Sequence, residues 1–231
     1  PLSSYNSIYM KKRGWLFACL LEVTMSQALV ILCGGDSSRM GTDKALLPFG
    51  DECLLEYMVH KFAPHFDRIY LSVNQRGDYG HLDLDVTEIP DIYLNAGPIG
   101  AILSSLTMIV ENRAFFVTID TPFIQPSLCK HLLAASENYD ACSLALRDHY
   151  VDTIACVYSK ACIPAFGKSI LLNNRTNSQI QAKCYINYVP VSDVALCSTM
   201  PFEDQFYRLS DRDSYYYALF HQLQDISSIR H

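Results

Sequence analysis

The apolar run Ala28-Leu29-Val30-Ile31-Leu32-Cys33 breaks abruptly into Gly34-Gly35-Asp36-Ser37-Ser38-Arg39-Met40-Gly41-Thr42-Asp43-Lys44. Six apolar residues without a polar alternation, closed by two glycines, read as a strand covered on both faces, the type found in parallel sheets. Downstream the pattern alternates. Leu54, Leu55, Met58, Val59 and Phe62 recur at helical spacing, and residues 68–73 and 85–89 read as the next two strands. An apolar helix over 99–110 follows Gly97-Pro98, the strongest buried strand covers 114–119, and a helix is expected over 126–135. Weaker strand signals follow at 142–146, 153–158 and 185–189, with helix signals at 160–172 and 211–223. Strand alternating with helix implies right-handed crossovers and an α/β fold: a single-domain, mostly parallel open sheet with helices on both faces, Rossmann-like.

Composition narrows the function classes. The chain has 231 residues, 50% apolar and 18% charged, enough for one large core and too apolar for a disordered chain. Eighteen Lys and Arg against 24 Asp and Glu leave a net charge of −6, which argues against a protein that coats nucleic acid. It does not argue against holding one nucleotide. Nine cysteines, an odd number without a C-x-x-C pair, point to buried small hydrophobes and a reducing, cytoplasmic setting rather than to zinc or a disulfide framework.

Residues 1–26 read as an N-terminal extension outside the core. Lys11-Lys12-Arg13 precedes an apolar stretch over 14–21, but Glu22 ends it, no A-x-A site follows, and Met25 is an alternative first residue. No stretch is long enough to span a membrane. The domain is expected over 27–231, with a nucleotide-binding half at 27–131 and an acceptor-binding half at 132–231.

In such sheets ligands bind where the strands end at their carboxyl termini. Polar residues collect there: the glycine loop after the first strand, Ser72 and Asn74 after the second, Asp91 and the Gly97-Pro98-Ile99-Gly100 loop after the third, Asp120 after the fourth. Glycines bring backbone N–H groups close to an anion, and Arg39 and Lys44 add two cations, which suits a triphosphate. The spacing is neither a Walker A loop nor G-x-G-x-x-G. A polar turn with a surface Arg and Lys is the bland alternative. Asp120, closing a buried strand, needs a partner, and Mg²⁺ with substrate phosphates suits a single carboxylate. It could equally cap the Thr121-Pro122 turn, and Asp91 and Asn74 could be ordinary turn residues.

The stretch Leu32–Pro48 resembles the signature of the molybdenum cofactor guanylyltransferases, within the wider MobA-like nucleotidyltransferases. Gly97-Pro98-Ile99-Gly100-Ala101 and Asp120-Thr121-Pro122-Phe123-Ile124 fall where that family has its second and third motifs. The likeness is specific over about 27–131 and fades over 132–225. It implies transfer of GMP from GTP to molybdopterin with release of pyrophosphate, dependent on Mg²⁺. It implies nucleotide contacts at Leu32, Cys33 and Gly34, largely through backbone, and at Gly35, Gly41, Lys44, Asn74, Asp91, Gly97 and Asp120, with Arg39, Lys44 and Asp120 catalytic and Asp120 the metal ligand. Gly34-Gly35 resembles the guanine-using branch, where cytosine-using relatives tend to have Ala-Gly. Arg147, His149 and Arg208 are candidates for the acceptor, and a molybdoenzyme or cofactor-biosynthesis protein is a candidate partner. His149 could also be a plain loop histidine.

The chain departs from that pattern at Cys33 (the family usually has Ala), at His149-Tyr150 (His-Pro), and at Arg208-Leu209-Ser210-Asp211-Arg212 (an Asn-x-Asn-Thr-Pro string). CTP or another phosphorylated acceptor such as a sugar phosphate is the rival enzymatic reading. A non-catalytic nucleotide- or cofactor-binding maturation partner is the rival of another class. The Tyr215-Tyr216-Tyr217-Phe220 cluster reads as helix packing.

Overall fold

The computed structural model describes residues 26–34, 42–145, 155–172, 183–195 and 200–229, with backbone alone for 222–229. The strands are β1 Ala28–Leu32, β2 Pro48–Phe49, β3 Glu52–Cys53, β4 Arg68–Val73, β5 Thr87–Pro90, β6 Arg113–Thr118, β7 Ala141–Ala145, β8 Cys156–Ser159 and β9 Ile186–Pro190. The α-helices are α1 Leu54–Phe62, α2 Pro98–Met108, α3 Pro126–Ala135, α4 Ile163–Leu171, α5 Val191–Ala195 and α6 Arg212–Ile229. Seven strands form one sheet in the order β5-β4-β1-β6-β8-β7-β9, and β2 and β3 form a small antiparallel hairpin.

The register follows from the apolar runs. Leu29 lies opposite Ile69 on β4 and Phe115 on β6, both in parallel pairing. Successive side chains point to opposite faces, so each central strand supplies two cores. Leu29, Ile31, Phe115 and Val117 pack toward α1 and α3, and Ala28, Val30, Ala114 and Phe116 pack toward α2 and α4. All of these are essentially fully buried, which is why no alternation shows in the sequence.

The sheet is not parallel throughout. β8 runs antiparallel to both β6 and β7, while β9 is parallel to β7. Only residues 146–155 separate β7 from β8, fewer than a crossover helix needs, so the strand must reverse. Most boundaries lie within one to three residues of the sequence pattern, and two differences have a readable form. The third strand begins at Thr87, because Val86 N–H is already bonded to the Leu84 carbonyl in a turn. The last helix continues to Ile229 instead of ending near 223. Of its aromatic cluster only Tyr215 packs inward, 7% exposed and bonded to the Pro48 carbonyl, whereas Tyr216, Tyr217 and Phe220 are exposed, so the packing expectation holds for one residue. No helix among the described residues is long and apolar enough to cross a membrane.

Candidate active site

Four parallel strands stop at one rim. The carboxyl ends of β1, β4, β5 and β6, with the start of α2, enclose a cavity of about 280 Å³. It is lined by Leu32 and Gly34, by Ser72 and Asn74, by Asp91, by Asn95, Gly97 and Pro98, and by Thr118. Gly97 stands just before α2 at φ +63°, and Pro98 occupies the first turn, where its missing N–H costs nothing. The positive end of an 11-residue helix therefore faces the cavity, a setting that favours anions. Asn95 at φ +61° makes the tight turn ahead of it, and asparagine is among the few residues with a side chain that tolerate that backbone.

Next to this cavity stands a charged centre. Lys44 Nζ lies 3.9 Å from Asp120 Oδ2 and donates to the Leu209 carbonyl at 2.8 Å. Arg208 Nη2 donates to the same Asp120 Oδ2 at 2.9 Å. The Thr118 hydroxyl donates to Asp120 Oδ1, and Thr118 also lines the cavity, so it joins cavity and centre. The Asp120 side chain is 13% exposed, Lys44 18% and Arg208 47%. Asp120 does not cap the Thr121-Pro122 turn: the Thr121 amide and hydroxyl both donate to the Thr118 carbonyl, leaving the carboxylate to face the cations.

Supporting contacts hold each group. Asp43 Oδ1 accepts from Ala45 N at 3.0 Å and caps the short 3₁₀ turn that carries Lys44, while Asp43 Oδ2 accepts from the buried Tyr79 hydroxyl at 2.9 Å. Tyr79 is fixed in turn by Glu88, which accepts from the amides of Gly77 and Tyr79. Asp91 Oδ1 accepts from Tyr93 N and from the buried Ser104 hydroxyl, each at 2.9 Å, which ties β5 to α2. Lys61 on α1 donates to the Pro122 carbonyl at 2.8 Å, and burial pushes its ammonium down to about 8. Residues 205–209 clamp the loop after β6: Gln205 Oε1 accepts from Gln125 N, and Leu209 N donates to the Asp120 carbonyl at 2.8 Å.

Leu32, Gly34, Asn74, Asp91 and Gly97 thus line one cavity, with Lys44 and Asp120 beside it. Cys33 points the other way. Its side chain sits in the core on the α1 face, where burial pushes the thiol well up, and its amide and that of Gly34 donate to the Ser72 carbonyl. Arg208 sits on Asp120 itself. Arg39, Gly35, Gly41, Arg147 and His149 lie outside the described residues. Sequence reasoning assigned no role to Thr118, Ser104, Tyr79 or Asn95. Of these only Asn95, an Asn two residues ahead of Gly97-Pro98, carries a turn signal.

Among the described residues no cluster of three or more His, Cys, Asp or Glu side chains could cage a metal ion. One shielded carboxylate, Asp120, beside a cavity that the start of α2 faces instead fits Mg²⁺, which takes one or two protein carboxylates and completes its shell with phosphates and water.

A family profile described as the MobA-like NTP transferase domain matches residues 29–183. A protein of Pelotomaculum thermopropionicum named "Probable molybdenum cofactor guanylyltransferase" is 30% identical over 162 residues, covering 69% of this chain and 77% of that one. The crystal structure of molybdopterin-guanine dinucleotide biosynthesis protein A from Archaeoglobus fulgidus is similar in fold, at TM-score 0.72 and 19% identity over 87% of this chain and all of that one. The 2-C-methyl-D-erythritol 4-phosphate cytidylyltransferase of Thermus thermophilus shares the fold at TM-score 0.61 and 13% identity, covering 85% of this chain and 98% of that one.

Proposed function

The chain belongs to the MobA-like NTP transferase family and is a nucleotidyltransferase, and from that premise we propose that it moves GMP from GTP to molybdopterin with release of pyrophosphate. One observation carries the reading: Lys44 and Asp120, 76 positions apart in sequence, meet at 3.9 Å beside the cavity formed by four strand ends. The named relatives support the acceptor, and Gly34-Gly35 supports guanine.

The acceptor's terminal phosphate is ionised at neutral pH, so attack on the α-phosphorus of GTP needs no strong base. The bond from acceptor oxygen to α-phosphorus forms as the bond to the β-phosphate oxygen breaks. The chain's task is alignment and charge neutralisation. The nucleoside rests between Gly34, Asn74 and Asp91, and the phosphates run past the start of α2 toward Lys44. Lys44, with two N–H donors beyond the one on Leu209, and Arg39 neutralise the leaving pyrophosphate. Asp120 would hold Mg²⁺, which when bound supplies positive charge to the α-phosphate and acceptor oxygens. Arg208, Arg147 and His149 serve the acceptor side.

A second reading, another phosphorylated acceptor such as a sugar phosphate, is favoured by the Arg208–Arg212 segment, which departs from the family string and lies against Asp120. Incubation with GTP or CTP, Mg²⁺ and each acceptor, followed by mass measurement, separates the two. The proposal expects molybdopterin plus a GMP unit and pyrophosphate. A product on a sugar phosphate alone would replace it with the second reading.

A further inference from the structure

Asp120 carries one negative charge and faces two cations. Arg208 Nη2 holds Oδ2 at 2.9 Å, Lys44 Nζ lies 3.9 Å from the same oxygen, and Oδ1 takes the Thr118 hydroxyl. Both carboxylate oxygens are thus engaged by the chain's own donors. The arginine is no accident of a loose side chain. Its backbone is pinned on the next residue, where Leu209 is fully buried, donates to the Asp120 carbonyl and accepts from Lys44. The guanidinium is therefore delivered to the carboxylate from a segment that is itself stitched to the same loop.

A divalent ion on Asp120 either shares Oδ2 with this arginine or shares Oδ1 with the Thr118 hydroxyl, and in both cases stands within a few ångströms of the guanidinium charge. Like charges at that separation repel appreciably even where water screens them. A triphosphate changes the balance, since its own negative charge offsets both cations and gives the guanidinium other oxygens to bind.

We propose that Arg208 sets the metal requirement of this enzyme: it competes with the divalent ion for Asp120, so that the ion binds well only after the triphosphate is seated. This rests on the assignment of the metal to Asp120 made above. In setting the metal requirement Arg208 acts through Asp120, as a positioning residue, separately from the acceptor-side role proposed above.

The test is Mn²⁺ binding to the full chain, followed by electron paramagnetic resonance, with and without GTP and in the absence of any acceptor. Arg208→Gln removes the charge and Arg208→Lys retains it; nearly half the side chain is exposed, so neither threatens the core. Without GTP, R208Q should bind Mn²⁺ about tenfold more tightly than wild type, as expected for loss of one neighbouring positive charge. R208K should stay within about twofold of wild type, and GTP should narrow the gap between wild type and R208Q. Equal or weaker Mn²⁺ binding by R208Q would overturn the inference while leaving the nucleotidyltransferase reading intact. Asp120→Asn distinguishes the two failures: if the tighter Mn²⁺ binding of R208Q without GTP persists when Asp120→Asn is added to it, the metal assignment itself falls, and the inference with it.

Discussion

Replacing Lys44 with alanine separates the two things this side chain does. In the structure its ammonium donates to the Leu209 carbonyl at 2.8 Å and lies 3.9 Å from Asp120. A hydrogen bond from a charged donor contributes roughly 1.5–3 kcal/mol when buried. With 18% of the side chain exposed, the loss should fall near the low end, about 1–2 kcal/mol. A domain stable by roughly 5–15 kcal/mol survives that. Turnover should suffer far more. Removing one preorganised charge contact to a developing anion typically costs about 10²–10³-fold in rate. Lys44→Ala should therefore lower the urea midpoint modestly and cut pyrophosphate release from GTP by two to three orders of magnitude. The pairing of the two readouts is what matters. A folded Lys44→Ala protein that releases pyrophosphate within about threefold of wild type would refute the role given to this lysine.

Three further perturbations probe the supports of the site. Gly100→Ala places a Cβ 2.7 Å from the Tyr93 carbonyl oxygen and 2.8 Å from Ala96 Cβ, so it should cost about 1–3 kcal/mol and weaken GTP binding by shifting Asn95 and Gly97; an unchanged urea midpoint and dissociation constant would contradict the packing described. Tyr79→Phe keeps the ring and deletes the bond to Asp43, so GTP affinity should drop about fivefold, the equivalent of roughly 1 kcal/mol, while GMP affinity holds. Parallel losses for GTP and GMP in calorimetry would mark Tyr79 as a general structural support instead. Lys61 titrates near 8 when folded against its ordinary 10.5, so the unfolded chain holds more protons between those values. Its contribution to stability is thus least below pH 8 and grows toward pH 10.5, with the rings of Tyr57 and Phe62 and the buried Cys129 thiol around the ammonium. Denaturation of wild type and Lys61→Met at pH 7 and pH 10 should show wild type gaining on the variant at the higher pH; a constant difference would show that Lys61 is not held in a desolvated state.

The residues that could be read from sequence were those whose type announces a strand end. Asn74 and Asp120 each close an apolar run and Asp91 follows a short strand, and a polar residue at such a point is placed at the sheet's carboxyl rim by the topology alone. Gly34 follows the same logic, and its approach to Asn74, whose Oδ1 would lie 3.1 Å from an added Cβ, explains why the position is a glycine. What sequence could not show is which distant segment closes the site. Arg208 reaches Asp120 across 88 positions and Leu209 follows it there, in a stretch that has little periodicity and departs from the family string. Ser104 looked like any small residue on an apolar helix until its hydroxyl proved to hold Asp91. Cys33 shows what a residue's type alone leaves open: the resemblance implies a nucleotide contact made largely through its backbone, and because a strand alternates its side chains, the thiol falls on the core face.

The central claim is that one nucleoside triphosphate and one divalent ion share the rim between Gly34 and Asp120. A crystal structure with GTP and Mg²⁺ tests it most directly. The account predicts guanosine between Gly34, Asn74 and Gly97, phosphates within reach of Lys44, and the ion on Asp120. Nucleotide bound elsewhere, or triphosphate turned away from Lys44 with the ion off Asp120, would contradict it.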